Sequence, residues 1–141
     1  MAKFTLKSVI ICEDARKEDN GKEMLIGVYN DVVVVGSFPA IIDRLFVRLS
    51  IDCDPDYEGD YSFSLTGPRK QEILKIAEKV GKQPDDEPGR VFGFGMRGFP
   101  AQDEGYYDIH FALGKVPKKI GSFVVRMPKI ESEVARLALA N

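Results

Sequence analysis

The feature that most constrains the fold is a series of short segments in which apolar and polar residues alternate. Such alternation puts one row of side chains on each face of a strand, so it indicates strands with one buried face. Glycine, proline and aspartate turns separate these segments, a pattern that predicts an antiparallel β-sandwich or barrel. The segments are 4–12, 24–29, 32–35, 41–52, 60–67, 90–99, 105–113 and 121–127.

A repeated turn sequence narrows this all-β prediction. Glu-Gly-x-Tyr occurs at 58–61 and again at 104–107, each time with a tyrosine entering the next segment. The second copy follows Asp103, and its Tyr107 resembles the tyrosine corner of immunoglobulin-like sandwiches, where the hydroxyl bonds back to loop backbone. Ile109 stands at the cysteine position of those domains, so no disulfide of that type is expected. We predict an antiparallel, immunoglobulin-like β-sandwich.

Two stretches depart from the alternation. The apolar residues of 71–80 suit either a helix or an interrupted strand, and periodicity leaves both possibilities open. Ile130, Val134 and Leu137 share one helical face, with acidic residues in the first turn, where the helix dipole favours them. This pattern predicts a short C-terminal α-helix. We therefore expect a β-sandwich domain over 1–128 and a helical extension over 129–141.

Length, charge and hydropathy indicate how many domains the chain has and which classes of partner it can bind. The 141 residues suit one domain. The net charge of −2, from 20 basic and 22 acidic residues, argues against nucleic-acid binding, which relies on basic side chains. The longest apolar run, 32–35, is too short to span a membrane, and the N-terminus lacks an apolar signal-peptide core. We expect no nucleic-acid or membrane partner, a cytoplasmic location, and buried thiols at Cys12 and Cys53.

A glycine motif matches two ligand-binding signatures without their context. Residues 93–98, Gly-Phe-Gly-Met-Arg-Gly, match the dinucleotide fingerprint, but they lie in a strand pattern and Pro100 follows where a helix should continue. The same strand resembles an RNA-recognition signature, with Val91 in place of its glycine. We interpret the glycines as sites of close backbone approach and Phe92 and Phe94 as core. No cofactor is expected.

Metal and catalytic sites are not predicted either. The acidic run 52–59 lacks the glycine and the final acid of a helix-loop-helix calcium loop, because Tyr57 and Phe63 stand there. The only histidine, His110, alternates with apolar neighbours and so falls on the outer face of its strand. An enzyme would need a pocket that holds Cys12 or Cys53 near His110.

The most distinctive segment runs from Glu13 to Lys22, where charges of both signs follow the first strand. It can be a hairpin loop ordered by its own ion pairs, or a polar site at the mouth of the sandwich for a small ligand or metal ion. An Arg16 guanidinium that pairs only with Glu13, Asp14 or Glu18 indicates the loop, whereas an open pocket with unpaired carboxylates or a bound ion indicates a site. The candidate binding residues are Glu13, Asp14, Arg16 and Glu18.

The same segment carries a family resemblance. Cys-Glu-Asp-x-Arg-x-Glu-x-x-Gly-Lys at 12–22, followed by Leu-Ile-Gly-Val-Tyr at 25–29, resembles an uncharacterised bacterial family of short proteins, a domain of unknown function. The first forty residues carry most of the match. The resemblance implies a strand for 71–80 and a β-sandwich, but no activity, substrate or catalytic residue.

These observations lead to a functional expectation. The chain is expected to be a non-catalytic module that binds another protein or itself, through an exposed strand edge or the C-terminal helix. The alternative is a small-ligand or metal-ion binding domain that uses the charged loop Glu13–Lys22.

Overall fold

The computed structural model describes residues 3–129, and among these residues every regular element is a β-strand. The all-β prediction is therefore confirmed. Each predicted segment forms a strand, with bounds that shift by a few residues. The strands are β1 (Phe4–Lys17), β2 (Glu23–Val28), β3 (Val32–Val34), β4 (Ala40–Cys53), β5 (Gly59–Thr66), β6 (Glu72–Val80), β7 (Gly89–Ala101), β8 (Gly105–Leu113) and β9 (Lys118–Arg126).

The strands form two sheets. The first has the order β2-β1-β4-β7, and the second has the order β3-β9-β8-β5-β6. All neighbours pair antiparallel except β3, which runs parallel to β9. The segment that periodicity left open is the edge strand β6, as the family resemblance implied.

One sequence prediction is wrong in part. The stretch from Glu13 to Lys22 is not a loop throughout, because β1 continues to Lys17 and pairs with β2 as far as Glu23. Only 18–22 remains as a turn. These strand residues lack apolar alternation because they lie mostly exposed, so their conformation depends on pairing rather than on burial.

The C-terminal predictions concern residues beyond 129, where the described part of the chain ends. The predicted helix from Ile130 to Ala140 lies outside the described residues, so the division at 128 stays a prediction. Within residues 3–129 there is no helix of the length and apolarity that crossing a membrane requires.

The inner faces of the two sheets share one hydrophobic core. The first sheet contributes alternate residues of β4 and β7, and the second contributes those of β5, β8 and β9. Aromatic rings join the sheets: Phe63 and Phe94 stack with centroids 4.0 Å apart, and Tyr107 meets Phe99 edge-on at 5.9 Å. Aromatic pairs of this kind add to the stabilisation from buried area. The interpretation of Phe92 and Phe94 as core is confirmed.

The predicted tyrosine hydrogen bond is present. Tyr107 is fully buried, and its hydroxyl donates to the carbonyl oxygen of Asp103 at 2.6 Å. The repeated turn also has a common geometry, since Gly59 and Gly105 have φ angles of 152° and 142° at the first positions of β5 and β8. Side chains other than glycine rarely adopt such angles, which accounts for the glycine in both copies.

A buried arginine joins two loops, β4–β5 and β6–β7, at one end of the sheets. Arg90 is only 4% exposed, and it donates to the carbonyl oxygens of Pro55, Tyr57 and Gly81 at 3.2, 2.8 and 2.9 Å. These bonds satisfy backbone acceptors of the loops, and the Pro55 carbonyl also accepts from the N–H of Gln83 at 2.9 Å. Alternation places Arg90 on the inner face of β7, but the sequence does not show which carbonyls it meets.

Two glycines of the 93–98 motif, Gly93 and Gly95, lie beneath an aromatic ring. Phe46 projects from the outer face of β4, and its ring lies over Gly93 and Gly95 of β7. A Cβ atom on Gly93 would lie 2.6 Å from Cζ of Phe46, and one on Gly95 would lie 3.3 Å from Cδ2. The close approach at these two glycines is made by the Phe46 side chain.

We expect Gly93→Ala to lower the free energy of unfolding when Phe46 is present and to raise it when Phe46 is replaced by alanine. With Phe46 present, overpacking should lower the free energy of unfolding by about 1–3 kcal/mol. In a Phe46→Ala background the clash is absent, and alanine should raise stability by about 0.5–1 kcal/mol, because glycine is unfavourable in a strand. Urea unfolding of the four proteins measures this. An equal loss in both backgrounds would show that the ring does not limit position 93.

Candidate functional site

The charged segment belongs to a β-hairpin, formed by β1 and β2, that extends beyond the last residue of β1 paired with β4. Pairing between β1 and β4 ends at Cys12, opposite Phe46, whereas pairing between β1 and β2 continues to Lys17. We call residues 13–28 the hairpin arm. Near its tip, Glu23 of β2 meets Arg48 of β4, so the arm lies across the outer face of the first sheet.

The contact with Arg48 is the shortest ion pair of the arm. Arg48 Nε donates to Oε2 of Glu23 at 2.7 Å, and the two side chains are only 23% and 26% exposed. Partial burial makes a charge-assisted hydrogen bond of this length stronger than a typical surface pair. Between arm and sheet lies a cavity of about 230 Å³, lined by residues that include Ala15, Lys17 and Phe46.

Asp14 is the most connected of the predicted site residues. Its Oδ1 accepts from the backbone N–H of Ala15 at 2.9 Å, while Oδ2 lies 3.5 Å from Arg16 Nε and 3.8 Å from Arg44 Nη1. Arg16 is 67% exposed and pairs with Asp14 within its own arm. This is the pairing expected of a segment that is ordered by its own ion pairs. A pair so exposed adds little stability.

The other two predicted residues lie apart from this pair. The side chain of Glu13 lies against Gly27, where an added Cβ would be 2.8 Å from Cδ of the glutamate. Glu18 begins the turn at the tip, where its N–H donates to the Lys22 carbonyl at 2.7 Å. The structure therefore brings Asp14 and Arg16 together and leaves Glu18 at the end of the arm.

Two arginines that we did not predict complete the surroundings of Asp14. A cavity of about 220 Å³ is lined by Glu13, Asp14, Arg44 and Arg97, with Phe46 among its other residues. Arg44 and Arg97 stand directly opposite each other on β4 and β7, an unfavourable arrangement for like charges. Alternation shows that Arg44 faces outward, but only the pairing of β4 with β7 brings Arg97 beside it.

The outward side of the arm carries an apolar stripe. Met24, Ile26 and Val28 alternate along β2 and are 48%, 36% and 50% exposed. They lie on an edge strand of the first sheet, so one side of the β2 backbone has no strand neighbour among residues 3–129. Apolar residues on such an edge are a template for pairing with another chain.

The described residues hold no thiol–imidazole pair. Cys12 and Cys53 are free and buried, as predicted, and both lie on strands of the first sheet. His110 lies on β8 of the second sheet, on its outer face, with Nε2 3.1 Å from the Thr66 hydroxyl. Burial raises the pKa of both thiols, which lowers their reactivity.

Residues 3–129 also contain no group of three or more histidine, cysteine or acidic side chains placed to hold a metal ion. In the acidic run 52–59, Asp54 Oδ1 accepts from the N–H of Asp56 at 2.9 Å, which is a local turn. The Asp54 carboxylate therefore stabilises the backbone of this turn.

We expect Arg48→Ala to loosen the arm without unfolding the sheets. Loss of the bond to Glu23 should accelerate amide exchange in β2 by about five- to tenfold, the effect of losing roughly 1 kcal/mol locally, while the amides of β5 and β8 keep their rates. Lys7→Ala is the control, because it removes a longer, more exposed pair with Asp52 in the same sheet. Exchange measured by mass spectrometry reports both. Unchanged β2 rates in Arg48→Ala would mean that the ion pair does not hold the arm.

Comparisons with known proteins show the family but no activity. No curated protein matches the chain. One solved structure with some likeness is a β-glucosidase from Erythrobacter marinus, with a TM-score of 0.43 and 11% identity over 88% of this chain. The chain spans only 15% of that enzyme, and a likeness of this degree supports no argument about function. The resemblance noted in the sequence is confirmed: the chain belongs to a family of unknown function (DUF6941), whose model matches residues 7–126.

Proposed function

We propose that the chain is a non-catalytic interaction module that self-associates through the apolar stripe and free edge of β2. One observation carries this proposal: three large apolar side chains stand exposed on the same face of an edge strand. We place the module in the cytoplasm, where two buried free thiols are the usual state of cysteine.

We further propose an immunoglobulin-like sandwich as the architecture of the module. The neighbours β1-β4-β7 correspond to strands A, B and E, and β9-β8-β5 correspond to G, F and C of that fold. The bond from Tyr107 to Asp103, at the corner before β8, matches the tyrosine corner before strand F. On this assignment the hairpin arm is an addition to the common core.

The four edge strands differ in how well they resist pairing. In the described part of the chain these are β2 and β7 in the first sheet and β3 and β6 in the second. β3 has only three residues, β6 carries Lys75 and Lys79, and β7 contains Pro100. Short length, lysines and proline all discourage strand addition. β2 lacks proline and lysine and presents the apolar stripe instead, so it is the edge most suited to a partner strand.

The stripe is suited to a second copy of the same chain. An antiparallel pair centred on Ile26 puts Met24 of each copy opposite Val28 of the other. A twofold interface of this kind uses the same residues on both sides. Each apolar cross-strand pair contributes about 0.2–1 kcal/mol. Because the patch is small compared with standard interfaces, we expect a weak dimer whose population rises with concentration.

We expect Ile26→Lys to abolish self-association, because it places a charge at the centre of the paired stripe. Sedimentation equilibrium of the full chain over a wide concentration range should show a monomer–dimer equilibrium for the parent and only monomer for the variant. Ile41→Lys is the matched control, since Ile41 is an exposed isoleucine on β4, away from β2. It should associate like the parent.

Two results would contradict the proposal. A parent chain that stays monomeric at the highest concentration has no self-association for β2 to mediate. Equal weakening by Ile26→Lys and Ile41→Lys would point to general charge repulsion rather than to the stripe. Thermal unfolding of each variant checks that the substitutions leave the fold intact.

A second candidate function is small-ligand binding at the predicted charged residues. The observation that favours it is the cavity beside Asp14, where Arg97 faces Arg44 and has no ion-pair partner among residues 3–129. Paired guanidiniums suit a carboxylate, which they hold through parallel hydrogen bonds. Arg44 and Arg97 would hold the ligand carboxylate in a cavity that Glu13 and Asp14 also line, whereas Arg16 and Glu18 do not line it.

We expect succinate or glutamate to raise the thermal midpoint of the parent chain if this site binds carboxylates, because a ligand of the native state stabilises it. Arg97→Gln should remove that shift. Arg69→Gln, which alters an exposed arginine on another part of the surface, should keep it. Identical shifts in the two variants, or none in the parent, would rule out a carboxylate site at Arg97.

A further inference from the structure

A large apolar groove lies at one end of the two sheets, on a part of the surface separate from the hairpin arm. Its volume is about 810 Å³, larger than the cavities beside the arm and within the range of about 300–1,000 Å³ typical of small-ligand sites. It runs between the start of β1 and the turn that joins β8 to β9. The lining residues are Lys3, Phe4, Leu113, Gly114, Lys115, Val116, Pro117 and Lys118.

The floor of the groove is continuous with the core. Leu113 is buried, and the ring of Phe4 packs edge-on against Phe111 with centroids 5.4 Å apart. Val116 stands 59% exposed above this floor. An apolar chain laid in the groove would therefore remove several hydrophobic surfaces from water at once.

The rim of the groove is basic. Lys3, Lys115 and Lys118 line it, and no carboxylate does. None of the three forms an ion pair with another described residue, although Lys118 Nζ lies 5.6 Å from the centre of the Phe4 ring. This local excess of positive charge contrasts with the net charge of −2 for the whole chain. Three ammonium groups around an apolar floor are complementary to an anion that carries an apolar tail.

We propose that this groove binds a single-chain anionic amphiphile, of which a fatty carboxylate is the simplest form. The tail lies against Phe4, Leu113 and Val116, and the carboxylate lies among the three lysine ammoniums. A concave site favours one such molecule over the flat surface of a membrane. The proposal uses none of the residues of the hairpin arm and is independent of self-association through β2.

Isothermal titration of the full chain with decanoate, below its micelle concentration, tests the proposal. Decanoate should bind, and affinity should rise between about twofold and fourfold for each methylene added from octanoate to dodecanoate, as expected for buried methylene groups. Decyltrimethylammonium, which has the same tail and the opposite charge, should bind at least tenfold more weakly.

Two matched double variants locate the site. Lys115→Gln with Lys118→Gln should weaken decanoate binding by tenfold or more, because it removes two of the three cations. Lys75→Gln with Lys79→Gln removes the same charge from β6 and should leave binding unchanged. Ile26→Lys should also leave it unchanged, which separates this result from the test of the proposed dimer.

Several outcomes would overturn the proposal. These are the absence of decanoate binding to the parent, equal binding by the two double variants, and equal binding of the cationic and anionic amphiphiles. Binding to phosphatidylglycerol vesicles without binding to free decanoate would assign the groove to a membrane surface instead. Thermal unfolding of each variant confirms that the comparison is between folded proteins.

Discussion

Packing of two sheets through their aromatic inner faces is the interaction on which the rest of the structure depends. The Phe63–Phe94 stack, at 4.0 Å, joins β5 to β7, and the neighbouring contacts of Phe92 and Phe111 extend it along the core. β4 is central to the first sheet because it pairs with both β1 and β7. Its inner residues build the core, while its outer residues Arg44, Phe46 and Arg48 position the hairpin arm and the surface beneath it.

The surface features follow from where this core ends. The hairpin arm begins where β1 parts from β4, so its residues gain no core contacts and rely on pairing, on Arg48 and on the turn 18–22. The basic groove lies where the turn between β8 and β9 meets the start of β1, beside Phe4 and above the buried Leu113. An apolar stripe on a free edge and an apolar groove with a cationic rim suit different partners, a protein strand and an amphiphile. The proposed self-association and the proposed amphiphile binding therefore use separate parts of the surface.

The sequence indicated which charges of the segment 13–22 could pair, but not which residues of other strands surround them. Of the four candidate residues after Cys12, Asp14 and Arg16 meet at 3.5 Å. Arg44, Arg97 and the Glu23–Arg48 contact were missed, because they depend on which strands become neighbours. The apolar stripe of β2 had the ordinary alternation of a buried strand, and only its edge position shows that it is exposed.

The sequence by itself determined eight of the nine described strands, their inner faces and the two glycine turns, because alternation and backbone preference act between residues close in the chain. It also indicated the hydrogen bond from Tyr107 back to the loop backbone, which spans only four residues. Only the tertiary structure decided that β1 continues through the charged segment, that Phe46 covers Gly93, and that Arg90 bonds to three carbonyls in two loops. Each of these depends on contacts between distant residues, and local pattern does not specify the strand order that creates them.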